Sequence, residues 1–224
     1  MNTNRAEAHA AELLTAAFKR TFTDVVVLTG LIVSLPKPSR IPTGEFDCIV
    51  VCNAGMFVFE VKGWKNCGVR RCKEGTRNRW FLGCKDRNDH EVPDPLVQGC
   101  EKLTGLKSFL DPRIGIRYYV LLPEEGVELD PTLPAGVITS QELPYIPRLL
   151  RSQTKASKTH MMMDGETVDL LARYLQQLGE GHTLEEHIEN CQRFHADKKA
   201  ELDPCAANLA LQGGGKSADS AAVP

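Results

Sequence analysis

Two carboxylates and an ammonium group stand in a stretch that otherwise reads as buried strand. In "EFDCIVVCNAGMFVFEVKG", residues 45–63, Asp47 precedes the apolar Ile49 and Val51, and Glu60 and Lys62 interrupt the run that starts at Met56. Side chains alternate across a strand, so Glu60 and Lys62 share one face while Phe57, Phe59 and Val61 share the other. Asn53, Ala54 and Gly55 supply a turn. A hairpin built on that turn stands Asp47 opposite the Glu60 and Lys62 face, at the end remote from the turn.

Carboxylates held together repel, and burying either one unpaired is costly. One lysine against two anions leaves room for a divalent cation. Hard oxygen donors suit Mg²⁺ (or Mn²⁺), which keeps several waters and takes one or two protein carboxylates plus substrate phosphate. Such an ion stabilises charge on a phosphate and lowers the pKa of an attacking water, and a lysine can orient or deprotonate that water. The chemistry is phosphodiester hydrolysis. The plainer alternative is an ion pair that only sets strand register. Glu7 weighs against it, because it opens the otherwise apolar stripe of Ala11, Leu14 and Phe18 on the first predicted helix, about Ala6 to Arg20.

The elements that must hold these charges follow from the rest of the pattern. "DVVVLTGLIVSL" from Asp24 is β-branched and predicts a strand or two, and strands are expected at Asp47–Cys52 and Met56–Lys62. "RWFLGC" predicts another. Asp94 then Pro95 in "DPLVQGCEKLTGLKSFL" reads as an N-cap and first helical position, with Leu96, Cys100, Leu103 and Leu110 facing inward. "IRYYVLLP" predicts a central strand, "GVITSQELPYIPRLLR" a short strand running into a helix, and "DGETVDLLARYLQQL" a last helix. This order predicts an α/β fold, a mixed β-sheet flanked by helices. The tail from Gln212, Gly-rich and polar, is expected to be disordered.

At these residues the chain resembles a known family. Asp47, Glu60, Val61 and Lys62 match the D-x(n)-E-x-K signature of the PD-(D/E)xK nuclease superfamily. More closely, "GEFDCIVVCNAGMFVFEVKGW", "NRWFLGC" and "DPLVQGCEKL" look like the nuclease-related domain (NERD) family, over about Ala6 to Arg151. The resemblance implies a restriction-endonuclease-like core at 1–151, followed by a C-terminal helical extension at 152–211 and the tail at 212–224. It implies a metal-dependent nuclease of low sequence specificity acting on DNA, with RNA as the other substrate. Asp47, Glu60 and Glu7 would be metal-binding carboxylates and Lys62 the catalytic lysine. Gln98, which matches the family's helix glutamine, reads equally as a group touching substrate or lysine and as an exposed polar residue. Ala6, Phe46, Asp94 and Gly99 depart from the usual residues and remove no ligand, and the superfamily's proline is absent before Asp47. The alternative is a non-catalytic nucleic-acid-binding or adaptor domain that keeps the fold, which the intact Asp47, Glu60 and Lys62 disfavour.

Bulk composition agrees with a soluble protein. The 224 residues are 42% hydrophobic and 25% charged, with a net charge of −2. No window is apolar enough for a membrane span and no secretory signal opens the chain, so a cytoplasmic location is expected. The eight cysteines are then expected as thiols. Zinc held by Cys67, Cys72, Cys84 and Cys100 is the lesser alternative, since their spacings are not the paired kind. Between Lys65 and Arg87 basic residues outnumber acidic ones, and Lys65, Arg70, Arg71, Arg77 and Arg79 are candidate phosphate contacts. Trp64 and Trp80 read first as packing residues. The acidic run beyond Gly179 reads as a solvated face, or as a surface for a protein partner or a dimer through the C-terminal helices.

Overall fold

A computed structural model describes residues 3–36, 42–74, 77–84, 89–156 and 162–202. The tail from Gln212 lies outside them. Helix α1 (Thr3–Lys19) precedes strands β1 (Val25–Ser34), β2 (Thr43–Cys52), β3 (Gly55–Val61), β4 (Cys67–Glu74), β5 (Arg77–Cys84) and β6 (His90–Val92). Helix α2 (Pro95–Lys107), strands β7 (Ile116–Leu122), β8 (Glu128–Leu129) and β9 (Val137–Thr139), and helices α3 (Ile146–Ala156), α4 (Gly165–Gly179) and α5 (Leu184–Leu202) follow. The fold is mixed α/β, as the pattern predicts.

Among the described residues one sheet runs β1-β2-β3-β7-β9 and a second β6-β5-β4-β8. In the first, β1, β2 and β3 form an antiparallel meander, while β7 adds parallel to β3 and β9 parallel to β7. The parallel addition needs a crossover, and α2 is its last part. "DVVVLTGLIVSL" forms the single strand β1.

The hairpin turn is built where the residue types require it. Gly55 has φ +122°, and a Cβ there would meet the Gly115 carbonyl oxygen at 2.4 Å. That close approach lets the Met56 N–H donate to Gly115 O at 2.9 Å and start the β3–β7 ladder. Asn53 ties the turn down: its Nδ2 donates to Asp24 Oδ2 at 2.8 Å and to the Met163 carbonyl at 3.0 Å.

Both faces of the first sheet are covered. On one, Leu14 and Phe18 of α1 meet Val50, Phe57, Phe59 and Leu121, with Leu143 and Leu150 beside them. On the other, Val168, Leu171 and Leu175 of α4 meet Leu28, Ile49, Val51 and Val58. Phe18, Phe57 and Phe59 interlock at centroid distances of 5.4 and 6.1 Å. Each such buried side chain stabilises the fold by about 1.5–3 kcal/mol. The second sheet packs Val69, Trp80 and Leu82 against Val120 and Leu122.

The buried stripe of α1 runs through Ala6, Ala10, Leu14, Ala17 and Phe18, one position from the stripe drawn through Glu7 and Ala11. Glu7 and Ala11 flank it, half-buried. Small side chains at 6 and 10 let the helix approach closely: a Cβ on Gly63 would sit 3.0 Å from Ala6 Cβ.

Candidate active site

The β1–β2 and β2–β3 ladders hold the charges at one end of the first sheet. Cys48 pairs with Phe59, and the same register sets Asp47 against Glu60. On the other side the pairing steps from Cys48↔Thr29 to Leu31↔Phe46, leaving Asp47 beside Gly30, whose φ is +59°. Alternation breaks there, since Phe46 and Ile49, three apart, enter the same core. The break lets the Asp47 carboxylate turn along the strand, where the Val61 N–H donates to its Oδ2 at 2.7 Å.

Glu60 is 6% exposed. Lys62 Nζ donates to its Oε1 at 2.7 Å, and Lys102 Nζ of α2 donates to its Oε2 at 3.1 Å. The Tyr118 hydroxyl lies 3.5 Å from the same Oε2 and donates to the Pro95 carbonyl at 2.9 Å. Gly99 makes room for that ring, since a Cβ there would stand 2.0 Å from Tyr118 Cζ.

Burial drives both carboxyls upward, and charge then separates them. Asp47 is raised, by burial and then by the Glu60 charge, with the Val61 N–H and the two lysines offsetting only part. Glu60 is also pushed up by burial, but Lys102 and Lys62 outweigh that and hold it below the ordinary range. Glu7 is raised by burial and by the charges of Glu45 and Glu60, which places it within electrostatic reach of the pair. Cys48 Sγ, 4.0 Å from the Glu7 carbonyl, fixes that turn of α1 against β2.

Lys102 changes the charge count read from the hairpin alone. Asp47 and Glu60 face two lysines rather than one, and a deficit of positive charge remains only when Glu7 and Glu45 are included. Lys102 was not among the sequence candidates. It lies one helical turn after Gln98, a spacing that could have found it. Gln98 itself is exposed. Glu45 and Tyr118 also escaped the sequence reading, as did the contact of α5 with this region, where His187 bonds Thr43 Oγ1 through Nδ1 at 2.9 Å and stands 3.9 Å from Glu45.

Among the described residues no three His, Cys, Asp or Glu side chains are grouped closely enough to hold a metal between them. The donor chemistry at Asp47 and Glu60 still fits a hard divalent cation: two carboxylates, one of them raised by burial and by its neighbour's charge, is a set that Mg²⁺ accepts with waters. Among the described residues the cysteines form no such group. Cys67 is buried in the core, Cys72 and Cys100 are exposed, and the Cys84 side chain lies outside the described residues.

The basic segment is the hairpin β4–β5. Arg70 and Arg79 both lie over the Phe81 ring, at 5.2 and 5.3 Å. Each is paired with an acid just past the basic run, Arg70 with Asp89 and Arg79 with Glu91, so the hairpin is less positive than its own sequence suggests. Lys65 is exposed. Arg71 is half-buried opposite Trp80, and its Nε and the Trp80 Nε1 have no hydrogen-bond partner among the described residues. The Arg77 side chain lies outside the described residues. Trp80 is fully buried and Trp64 packs against the same cluster, so both serve packing.

Comparison with known proteins matches residues 3–123, more than half the chain, to the family model of the nuclease-related domain. No curated protein and no solved structure matches. The match takes in α1, the β1–β2–β3 meander, α2 and all of β7, the elements that carry Glu7, Asp47, Glu60, Lys62 and Lys102. On this ground the chain belongs to the nuclease-related domain (NERD) family, with the restriction-endonuclease-like core its sequence implied.

Proposed function

We propose that this protein is a metal-dependent nuclease that hydrolyses DNA phosphodiester bonds with low sequence specificity. One observation carries the reading: Asp47, Glu60 and Lys62 meet at one sheet end, with Asp47 held by the Val61 N–H and Lys62 held by Glu60 at 2.7 Å. An ion pair serving register alone has no need of a second, protonatable carboxylate beside it.

Asp47 and Glu60 would hold Mg²⁺ or Mn²⁺ with waters, and Glu7, not grouped closely enough with them to complete a three-carboxylate site here, would act on the ion through its charge. Bound there, the ion supplies charge stabilisation at the scissile phosphate and an acidified water. The chain's own groups do the rest. Lys62 has three donors, of which Glu60 takes one; the others orient the attacking water and a phosphate oxygen. The Val61 N–H fixes which Asp47 oxygen stays free, since Oδ2 is already engaged. Lys65, Arg70, Arg71, Arg77 and Arg79 would contact the backbone, and phosphate contacts position the strand without reading its sequence.

The assay uses plasmid DNA with Mg²⁺ or Mn²⁺ and the full chain beside Asp47→Ala and Lys62→Ala. Wild type is expected to cut, and each substitution to reduce cutting by about 100-fold or more, the scale of losing a positioned acid-base group. Cutting that survives both would sink the reading. Wild-type binding without cutting would favour the adaptor role.

A further inference from the structure

Glu60 has both carboxylate oxygens capped by ammonium groups, and the two lysines arrive by different routes. Lys62 is held by the strand: it lies two residues from Glu60, and its N–H donates to the Leu121 carbonyl at 3.0 Å. Lys102 comes across from α2, outside the sheet, and meets Oε2 at the longer distance of 3.1 Å against 2.7 Å. Its side chain is 23% exposed and ends on a stem of four carbons with rotatable donors. Its charge is also felt by Asp47 and, on α5, by His187 and Cys191.

A divalent cation bound at Glu60 Oε2 would meet the Lys102 ammonium already there. Two positive charges at contact distance in a partly buried site repel strongly. Lys62 holds the other oxygen, Oε1, at the shorter distance of 2.7 Å, so Lys102 is the group that yields. A DNA phosphate brings the negative charge that a displaced ammonium would otherwise lack.

Resting on the nuclease reading above, we propose that Lys102 is a stand-in counter-ion. It holds Glu60 Oε2 in the metal-free protein, is displaced when Mg²⁺ or Mn²⁺ binds there, and then pairs with a phosphate oxygen of the DNA. Metal loading and substrate grip are thereby coupled through one side chain. A static ion pair does not predict this coupling: its charge would weaken metal binding, but it would leave the Lys102 contribution to DNA binding independent of the metal.

The test reads metal and DNA binding separately from cutting. Metal-free full-length protein is titrated with Mn²⁺ in the absence of DNA, for wild type, Lys102→Met and Asp47→Asn. Lys102→Met is expected to bind Mn²⁺ about tenfold more tightly than wild type, for loss of one competing charge. Duplex DNA binding is then measured in Ca²⁺ and in EDTA. The variant is expected to bind about tenfold more weakly than wild type in Ca²⁺ and equally in EDTA, because only the displaced ammonium reaches phosphate. Lys102→Gln, closer to the lysine in polarity, repeats both measurements if the methionine variant does not fold.

Unchanged or weaker Mn²⁺ affinity in the Lys102 variants overturns the proposal, as does a loss of DNA affinity that is the same in Ca²⁺ and EDTA. Asp47→Asn separates the two readings. If it alone loses Mn²⁺ while Lys102→Met matches wild type, only this inference fails. If wild type and Asp47→Asn bind Mn²⁺ alike, the metal assignment fails and this inference with it.

Discussion

Burial acts on Asp47 and Glu60 alike, yet the two carboxyls end in opposite states because lysine ammonium groups contact only one of them. Glu60 is charged and doubly paired. Asp47 has a single backbone donor and is raised. The consequence for stability follows from linkage. A carboxyl raised in the fold contributes stability that is fully present below its ordinary value of 3.8 and is lost as the pH rises to about 7. His187, lowered by burial, works the other way near neutrality, so the comparison with a variant isolates Asp47. Asp47→Asn keeps an acceptor for the Val61 N–H and cannot ionise. In EDTA, wild type is expected to lose melting temperature relative to Asp47→Asn between about pH 4 and about pH 7. Thermal denaturation across that range checks it, and parallel curves would show that Asp47 is an ordinary carboxylate.

Among the elements, α2 does more than close a crossover, because it delivers Lys102 to Glu60. Its start is set by Asp94, whose Oδ1 accepts from the Leu96 N–H at 2.9 Å and the Val97 N–H at 3.3 Å, with Pro95 at the first helical position. Asp94→Ala is expected to cost about 1 kcal/mol and about 2–4 °C of melting temperature. Asp94→Asn is expected to retain most of it. Equal melting of wild type and Asp94→Ala would mean the cap is dispensable. The helix also has a gap at Gly99 that admits the Tyr118 ring, so strand β7 and helix α2 are fitted to each other across the site. In the second sheet, pairing of β5 with β6 brings Glu91 beside Arg79, which is why a basic surplus counted along the chain overstates the charge of the surface.

At the scale of the whole molecule, the helices beyond the family-matched segment are part of the fold's cover. Val168, Leu171, Ala172 and Leu175 of α4 are buried against β1 and β2, and Asp164 caps that helix by accepting from the Thr167 N–H at 2.8 Å. A chain ending at residue 156 would leave that face of the sheet open, and exposed apolar patches of this kind drive association. Such a truncation is expected to aggregate or bind a hydrophobic dye, measured by size-exclusion chromatography beside the full chain; a monodisperse fragment would show that α4 is dispensable. Helix α5 sits differently, by polar contacts: His182 Nε2 with Ser34 Oγ at 3.0 Å, and Asn190 Nδ2 donating to Thr43 Oγ1 at 3.3 Å. Among the described residues no helix is long and apolar enough to cross a membrane. Local patterns in the sequence determined the hairpin, the alternation that puts Glu60 and Lys62 on one face, the capped start of α2 and the family, because each depends on residues close together in the chain. Only the tertiary structure decided that Lys102, 42 residues from Glu60, caps its second oxygen, that Glu45 and His187 stand beside the site, and that Asp89 and Glu91, before and on β6, pair with Arg70 and Arg79. Those contacts join elements distant in sequence, and their register is set by packing that no local period encodes.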